Sequence, residues 1–226
     1  MRNDYVGILA KLACVLLLVC CVAGCQRRQQ PAVRRQAEAL PPHPILKPLP
    51  ANASTQLKQL IEGAVAQAGV TTGYDPSYVK LDYPGGDVSP ETGVCSDVVI
   101  RAFRKASIDL QREVHEDMQA NRAAYPTKWG ASGADSNIDH RRVLNLMTFF
   151  GRKGKSLPIS DNKDDYLPGD VVAWDMGGGV DHIGIVTNYW SEAEHRCLIV
   201  HNIGAGTRVE DVLFAWRITG HYRYFE

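Results

Sequence analysis

The chain changes from helical to strand-like patterning about two-thirds of the way along, and this change is what most constrains its fold. The second part contains four short apolar runs separated by Gly, Asn and Asp residues, at 171–174, 183–186, 197–200 and 215–218. Such runs are typical of β-strands. The first part has apolar residues at helical spacing, which predicts helices at 54–68, at 95 to about 106, and at 137–150. A further stretch at 109–124 is predicted to be helical but is more polar. Helices followed by consecutive strands predict an α+β domain, with the helices packed on an antiparallel sheet.

The N-terminus has the pattern of an export signal. Arg2 and Lys11 precede an apolar run at 12–19, which is too short to span a bilayer and is followed by small residues before Cys25. Val-Ala-Gly-Cys at 22–25 resembles a bacterial lipobox, which predicts a signal peptide over 1–24 and a lipid on Cys25. Ordinary signal-peptidase cleavage and an uncleaved anchor are the alternatives. The residue after the cysteine, Gln26, is not Asp, and in bacterial lipoproteins this favours sorting to the outer membrane.

Residues 25–53 are predicted to be a linker that joins the lipidated cysteine to the folded domain at 54–226. Five basic residues face a single Glu38, and prolines are frequent, so this tract should stay extended or disordered. Over the whole chain, 25 Lys+Arg balance 25 Asp+Glu. A net charge of +0 excludes a dedicated nucleic-acid binder, which would carry a basic excess.

Two of the six cysteines remain once the leader and Cys25 are set aside, namely Cys95 and Cys197. In an oxidising compartment they could form a disulfide. The alternative is one reactive thiol and one bystander. Cys197 lies four residues before His201, about 13 Å along a strand, whereas a disulfide needs Cα atoms within about 7 Å. If His201 is close to Cys95, two free thiols are expected.

Cys95 is the candidate nucleophile. It lies at or near the start of a predicted helix, where the macrodipole and free amides favour a thiolate with a lowered pKa and can hold an oxyanion. A structural cysteine is the alternative at this place.

Two histidines on successive predicted strands could complete a catalytic site. His182 follows the glycine turn at 177–179, which is a rigid place for a general base, and His201 ends the next strand. Cys, His and a polar residue in this order form a nucleophile, a base and an orienting group. Asn202 is the rival orienting residue, because strand neighbours point to opposite faces and both faces here carry apolar residues. Asp181 with the two histidines lacks a further clear metal ligand, so we predict no metal and no cofactor.

Several strand motifs resemble those of the NlpC-type cell-wall cysteine peptidases, at 168–174 (PGDVVAW), 182–186 (HIGIV) and 198–201 (LIVH). The resemblance implies a papain-like fold with Cys95 as nucleophile, His182 as base and His201 as third residue. More closely, 83–87 (YPGGD), 137–142 (NIDHRR) and 200–204 (VHNIG) resemble the YijF-type family of secreted bacterial proteins, a domain of unknown function. Together the resemblances cover roughly 54–226.

The chain departs from the NlpC-type pattern around the nucleophile. That superfamily uses an Asp before the Cys and an upstream Tyr to hold the free amine of a peptide stem, and here Val94 takes the place of the Asp. Asp97 is a candidate replacement, and Tyr83 or Tyr74 could supply the hydroxyl. Further candidates for substrate contact are Ser96, Asp181 and Asn202. The interval from Cys to His is also longer than usual, which leaves about 109–165 as a helical insertion over the cleft.

The sequence therefore predicts a cysteine hydrolase of the periplasm, tethered to the outer membrane, that cleaves an amide bond in peptidoglycan stem peptides. Its partners would be peptidoglycan and, through the lipid, a membrane, with no nucleic acid. A non-catalytic wall-binding lipoprotein and a Cys-dependent acyltransferase remain as alternatives. Residues 139–142 (DHRR) could form a carboxylate-binding edge or a solvated helix start.

Overall fold

The computed structural model describes residues 45–130 and 133–226. Cys25 and the predicted signal peptide lie outside the described residues. Within them, the helices are α1 (Thr55–Val65), α2 (Cys95–Lys105), α3 (Leu110–Ala120) and α4 (Val143–Arg152), with short 3-10 turns at Arg122–Ala124, Asp139–Arg141 and Lys163–Asp165. The strands are β1 (Ile45–Leu46), β2 (Val171–Asp175), β3 (Asp181–Ser191), β4 (Arg196–Asn202), β5 (Thr207–Glu210) and β6 (Arg217–Tyr222). None of the described helices is long and apolar enough to cross a membrane.

The strands form one antiparallel sheet in the order β5-β4-β3-β2-β6, and β1 pairs with the distal half of β3. Strands β2 to β5 follow one another as a meander, and β6 returns to the free edge of β2. The predicted α+β class, with helices packed on an antiparallel sheet, is confirmed.

Alternation along the strands divides the core into two clusters. Ile183, Ile185 and Val200 pack with the helices, and α2 presents to them its fully buried inner face. Their neighbours Val186 and Ile199 pack on the other side of the sheet. The first cluster is the main core, and it fixes α2 against β3.

The boundaries differ from the sequence prediction in several places. β5 was not predicted, and the last strand begins at Arg217 instead of residue 215. The helix predicted over 137–150 is divided, because Arg142 is extended (φ −100°, ψ 120°) between a 3-10 turn and α4. The end of the predicted linker also belongs to the fold. There β1 pairs with Tyr189 and Trp190, and the Lys47 ammonium lies 4.3 Å from the Trp190 ring centroid.

Candidate active site

Cys95 is the first residue of α2 and is 4% exposed. Val94 before it is extended, and the Asp97 carboxylate accepts the Val94 N–H at 2.7 Å. This capping bond ends the preceding loop and starts the helix at the cysteine. The thiol is thereby held at a helix N-terminus, as the sequence predicts.

The thiol lies at a gap between β3 and β4. The pairing of these strands begins at Ile185↔Val200, and the N–H of Ile183, two residues earlier on β3, hydrogen-bonds to Cys95 instead. Burial raises the pKa of the Cys95 thiol to about 12, and the Ile183 N–H opposes that rise. The expectation of a lowered pKa is therefore wrong for the resting site, because burial outweighs the helix N-terminus.

His182, His201 and Glu210 form a continuous chain of hydrogen bonds. His182 Nε2 lies 2.8 Å from His201 Nδ1, and His201 Nε2 lies 3.0 Å from Glu210 Oε2. The His201 side chain is 1% exposed. The two histidines predicted as partners are thus in direct contact, and a carboxylate that the sequence analysis did not single out ends the chain.

The carboxylate determines the direction of these bonds. Glu210 can only accept, so His201 donates from Nε2 and, with one proton on each ring, accepts at Nδ1 from His182 Nε2–H. This assignment from the hydrogen-bond network leaves Nδ1 of His182 with a lone pair. Burial, and then His201, lower the pKa of His182 to about 3. His182 is therefore a neutral imidazole with a free basic nitrogen at the start of β3.

Asp97 is buried in an ion pair with Arg141. The guanidinium donates to the carboxylate at 2.8 and 2.9 Å, and the two side chains are 2% and 3% exposed. Ser96 Oγ donates to the Arg141 carbonyl at 2.6 Å. Both candidate substrate contacts, Ser96 and Asp97, are thus occupied within the fold. The solvated helix start considered for 139–142 is wrong in its first three residues, because Asp139, His140 and Arg141 are buried.

Asn202 lies on the opposite side of β4 from His201. Its amide donates to the Gly73 and Gly93 carbonyls at 3.1 and 3.0 Å. The side chain therefore ties down the loop that precedes Cys95, and His201 is the residue in contact with His182.

A cleft of about 230 Å³ opens over Cys95. Its lining residues are Tyr74, Pro76, Val94, Cys95, Ile138, Arg141, Arg142, Val143 and Asp181. The predicted insertion thus supplies one wall. Tyr83 does not line it, because its ring meets His115 edge-on at 5.1 Å. Of the two tyrosines considered for the upstream hydroxyl, Tyr74 is the one that lines the cleft. Burial, with Cys95 next, raises the pKa of Tyr74 to about 12.

Asp181 in the cleft wall is paired with Lys128 at 3.2 Å. Cys197 pairs across the strands with Trp190, and both it and Cys95 are free thiols, as expected. Sequence reasoning missed Glu210 and the pairing of Arg141 with Asp97. The alternation of charged and apolar residues at 207–210 was a signal for a strand with Glu210 on the His201 side.

Comparisons with known proteins agree on one family. The model of the family described as "Domain of unknown function (DUF1287)" matches residues 61–224. The chain is also 55% identical, over 173 residues, to "Uncharacterized protein YijF" of Escherichia coli (strain K12). That alignment covers 76% of this chain and 83% of the relative. The family match spans the segments that carry the cysteine, the two histidines and Glu210.

Proposed function

The chain belongs to the family described as domain of unknown function (DUF1287), and from its site we propose a cysteine hydrolase that cleaves amide bonds in peptidoglycan stem peptides. The observation that carries the proposal is the chain His182–His201–Glu210, which leaves a basic nitrogen on β3 one residue from the amide that contacts the Cys95 thiol. The papain-like architecture of the NlpC type is part of the proposal. Support for it comes from a cysteine-bearing helix packed on an antiparallel sheet whose neighbouring strands carry the histidines.

The thiol and the His182 imidazole are both neutral at rest, so the proton would move only as the bond forms. His182 Nδ1 takes the thiol proton while Sγ attacks the amide carbon. The N–H groups of Cys95 and Ser96, which already contact the sulfur, are placed to hold the oxyanion. His182 then protonates the leaving amine, and water hydrolyses the thioester to release the acid and restore the thiol.

The cell wall as substrate rests on two features of the sequence. The motifs at 182–186 and 198–201 resemble cell-wall peptidases, and the leader with Cys25 predicts export and a lipid anchor in the outer membrane. The protein would then work in the periplasm within reach of peptidoglycan. No step of this mechanism needs a cofactor.

Digestion of purified sacculi, followed by mass analysis of the released muropeptides, tests the proposal. Wild-type protein should release new fragments and Cys95→Ala should release none. Equal profiles with and without the wild-type protein would overturn the proposal. New linkages to an added acceptor amine, in place of hydrolysis, would identify an acyltransferase.

Burial of the thiol favours a second candidate, a wall-binding protein without turnover. Cys95 is 4% exposed and its pKa is raised to about 12, which suits a structural cysteine. Such a protein would sediment with sacculi equally well as wild type and as Cys95→Ala, and iodoacetamide would not label Cys95 at neutral pH.

A further inference from the structure

We propose that the cleft over Cys95 binds a carboxylate group of the substrate, and that Arg142 is the residue that recognises it. This inference rests on the proposed function for its view of the cleft as the substrate site. It departs from the amine recognition that the NlpC-type resemblance implies. The existing ion pairs of the charged groups in the cleft indicate whether it would bind a substrate amine or a substrate carboxylate.

Two acidic groups in or next to the cleft, Asp97 and Asp181, have cationic partners. Asp97 is held by Arg141 through two hydrogen bonds. Asp181 is paired with Lys128 at 3.2 Å, and Lys128 also reaches the Gly179 carbonyl. Val94, in the place of the superfamily's Asp, has no charge at all. A free substrate amine would therefore have to displace an existing cation at either carboxylate.

Arg142 is the cation of the cleft with donors to spare. Arg141 uses its guanidinium on Asp97 and on the Ser77 and Asp75 carbonyls. Among the residues that the structure describes, Arg142 forms one ion pair, at 3.5 Å to Asp139, and its side chain is 20% exposed. A guanidinium has five N–H donors in a planar fork, so most of those of Arg142 are available to a ligand.

The Arg142 fork is also held in place. Its central carbon lies 4.4 Å from the centroid of the Trp129 ring, which restrains the plane of the guanidinium. Arg142 and Val143, at the start of α4, and Val94 and Cys95, at the start of α2, all line the cleft. Two helix N-termini on one cleft add partial positive charge, which favours an anionic group there.

Stem peptides carry carboxylates along their length, so a matched ligand pair tests the inference. The probes are a synthetic stem tetrapeptide with its carboxyl groups free and the same peptide with each of them as a carboxamide. Binding is measured by calorimetry on the Cys95→Ala protein, so that no turnover is needed. We expect the free acid to bind about tenfold more tightly than the amide, as one charged hydrogen-bonded contact would give.

Substitutions assign the preference to Arg142. Arg142→Gln should abolish the preference for the acid, and Arg142→Lys, which keeps the charge without the fork, should retain part of it. Arg112→Gln, on the exposed face of α3, should leave it unchanged. Equal binding of the two peptides, absence of binding, or a preference that survives in Arg142→Gln would overturn the inference. The ligand pair remains decisive even if a variant fails to fold. Sacculus digestion by the wild type is a separate measurement, so failure of the hydrolase proposal is distinguishable from failure here.

Discussion

Glu210 Oε2 lies 3.0 Å from His201 Nε2, on the strand next to the one that carries His201. A carboxylate at this point does more than fill space, because it can accept hydrogen bonds and cannot donate them. Both N–H groups of the chain therefore point toward Glu210, with His201 donating to the carboxylate and His182 donating to His201. The result is a basic nitrogen at the opposite end, where His182 meets the start of β3.

Glu210→Gln should lower kcat by about 100-fold, because the amide can donate to His201 Nε2 and reverse the chain, which leaves the proton on His182 Nδ1. Loss of the correct tautomer costs up to about 10⁴-fold in serine proteases. Single-turnover peptide hydrolysis measures the effect, with Glu192→Gln on the exposed β3–β4 turn as the control. Unchanged turnover in Glu210→Gln would mean that the carboxylate does not set the tautomer.

His182→Ala should abolish turnover and His201→Ala should reduce it by orders of magnitude, while both proteins still fold. Asn202→Ala should instead lower the free energy of unfolding by about 2 kcal/mol, because two buried acceptors lose their donor. Urea unfolding and peptide hydrolysis are compared for the three variants. A stable Asn202→Ala protein with no activity would assign the orienting role to the amide instead.

Asp97→Ala should destabilise the protein by about 3–5 kcal/mol, because it leaves the Arg141 charge buried without its partner. The matched control is Glu113→Ala, which removes an exposed ion pair with Arg112 and should leave the urea midpoint unchanged. If Asp97→Ala were as stable as the control, Arg141 would have to find another partner in the folded state.

Stability should be greatest between about pH 6.5 and pH 9. Burial lowers the pKa of His140 to about 4 and, with His201, that of His182 to about 3. The unfolded chain therefore binds protons below the ordinary histidine pKa of 6.5 while the folded chain does not, and stability falls as the pH drops from there. The Cys95 thiol, with its pKa raised to about 12, stays protonated in the folded state above the ordinary cysteine pKa of 9.0, so stability also falls above that pH.

Chemical unfolding across this range checks both limbs. In Cys95→Ala the alkaline decline should begin near pH 10, where the buried Tyr222 and the partly exposed Tyr74, whose pKa values are both raised, start to contribute. His140→Gln should make the acidic decline shallower. An alkaline limb that is identical in wild type and Cys95→Ala would show that the thiol is not protected from ionisation.

Cys25→Ala should release the protein from the membrane fraction into the soluble periplasmic fraction. The lipobox-like end of the leader has no other evident purpose, and a lipid chain is the anchor that it predicts. Fractionation of cells with detection of the protein measures this, and Cys197→Ala, which leaves the leader intact, is the control. Retention of Cys25→Ala in membranes would contradict lipidation at this residue.

Local periodicity predicted the parts of the fold that depend on neighbours in sequence. The inner face of α2, with Val98, Val99, Ala102 and Phe103, followed from helical spacing alone, and all four are fully buried. The choice between His201 and Asn202 did not follow from it, because both faces of β4 are apolar. It depends on which side of β4 faces the His182 side chain, and the 2.8 Å contact between His182 and His201 identifies that side.

Contacts between residues far apart in the sequence could not be predicted either, because local periodicity does not show which elements pack together. Arg141 and Asp97 are 44 positions apart, and each alone has the pattern of a helix-start charge. Their burial together follows only once the insertion packs on α2. The pKa of the Cys95 thiol was predicted to be lowered and is raised. The sequence shows that Cys95 is at a helix N-terminus, but it does not show the burial that outweighs this effect.

The position of β5 has a consequence for how the molecule loses function. β5 is a four-residue strand at one edge of the sheet, paired with β4 as its one neighbouring strand and bonded to the Thr71 carbonyl through the Thr207 N–H, and it carries Glu210. Short edge strands open in local fluctuations that cost far less free energy than unfolding of the core. Each such opening removes the acceptor that orders the two imidazoles while α2 and the central strands stay folded. The activity of the site would then depend on how often β5 opens. On heating, activity would be lost at temperatures where the rest of the protein is still folded.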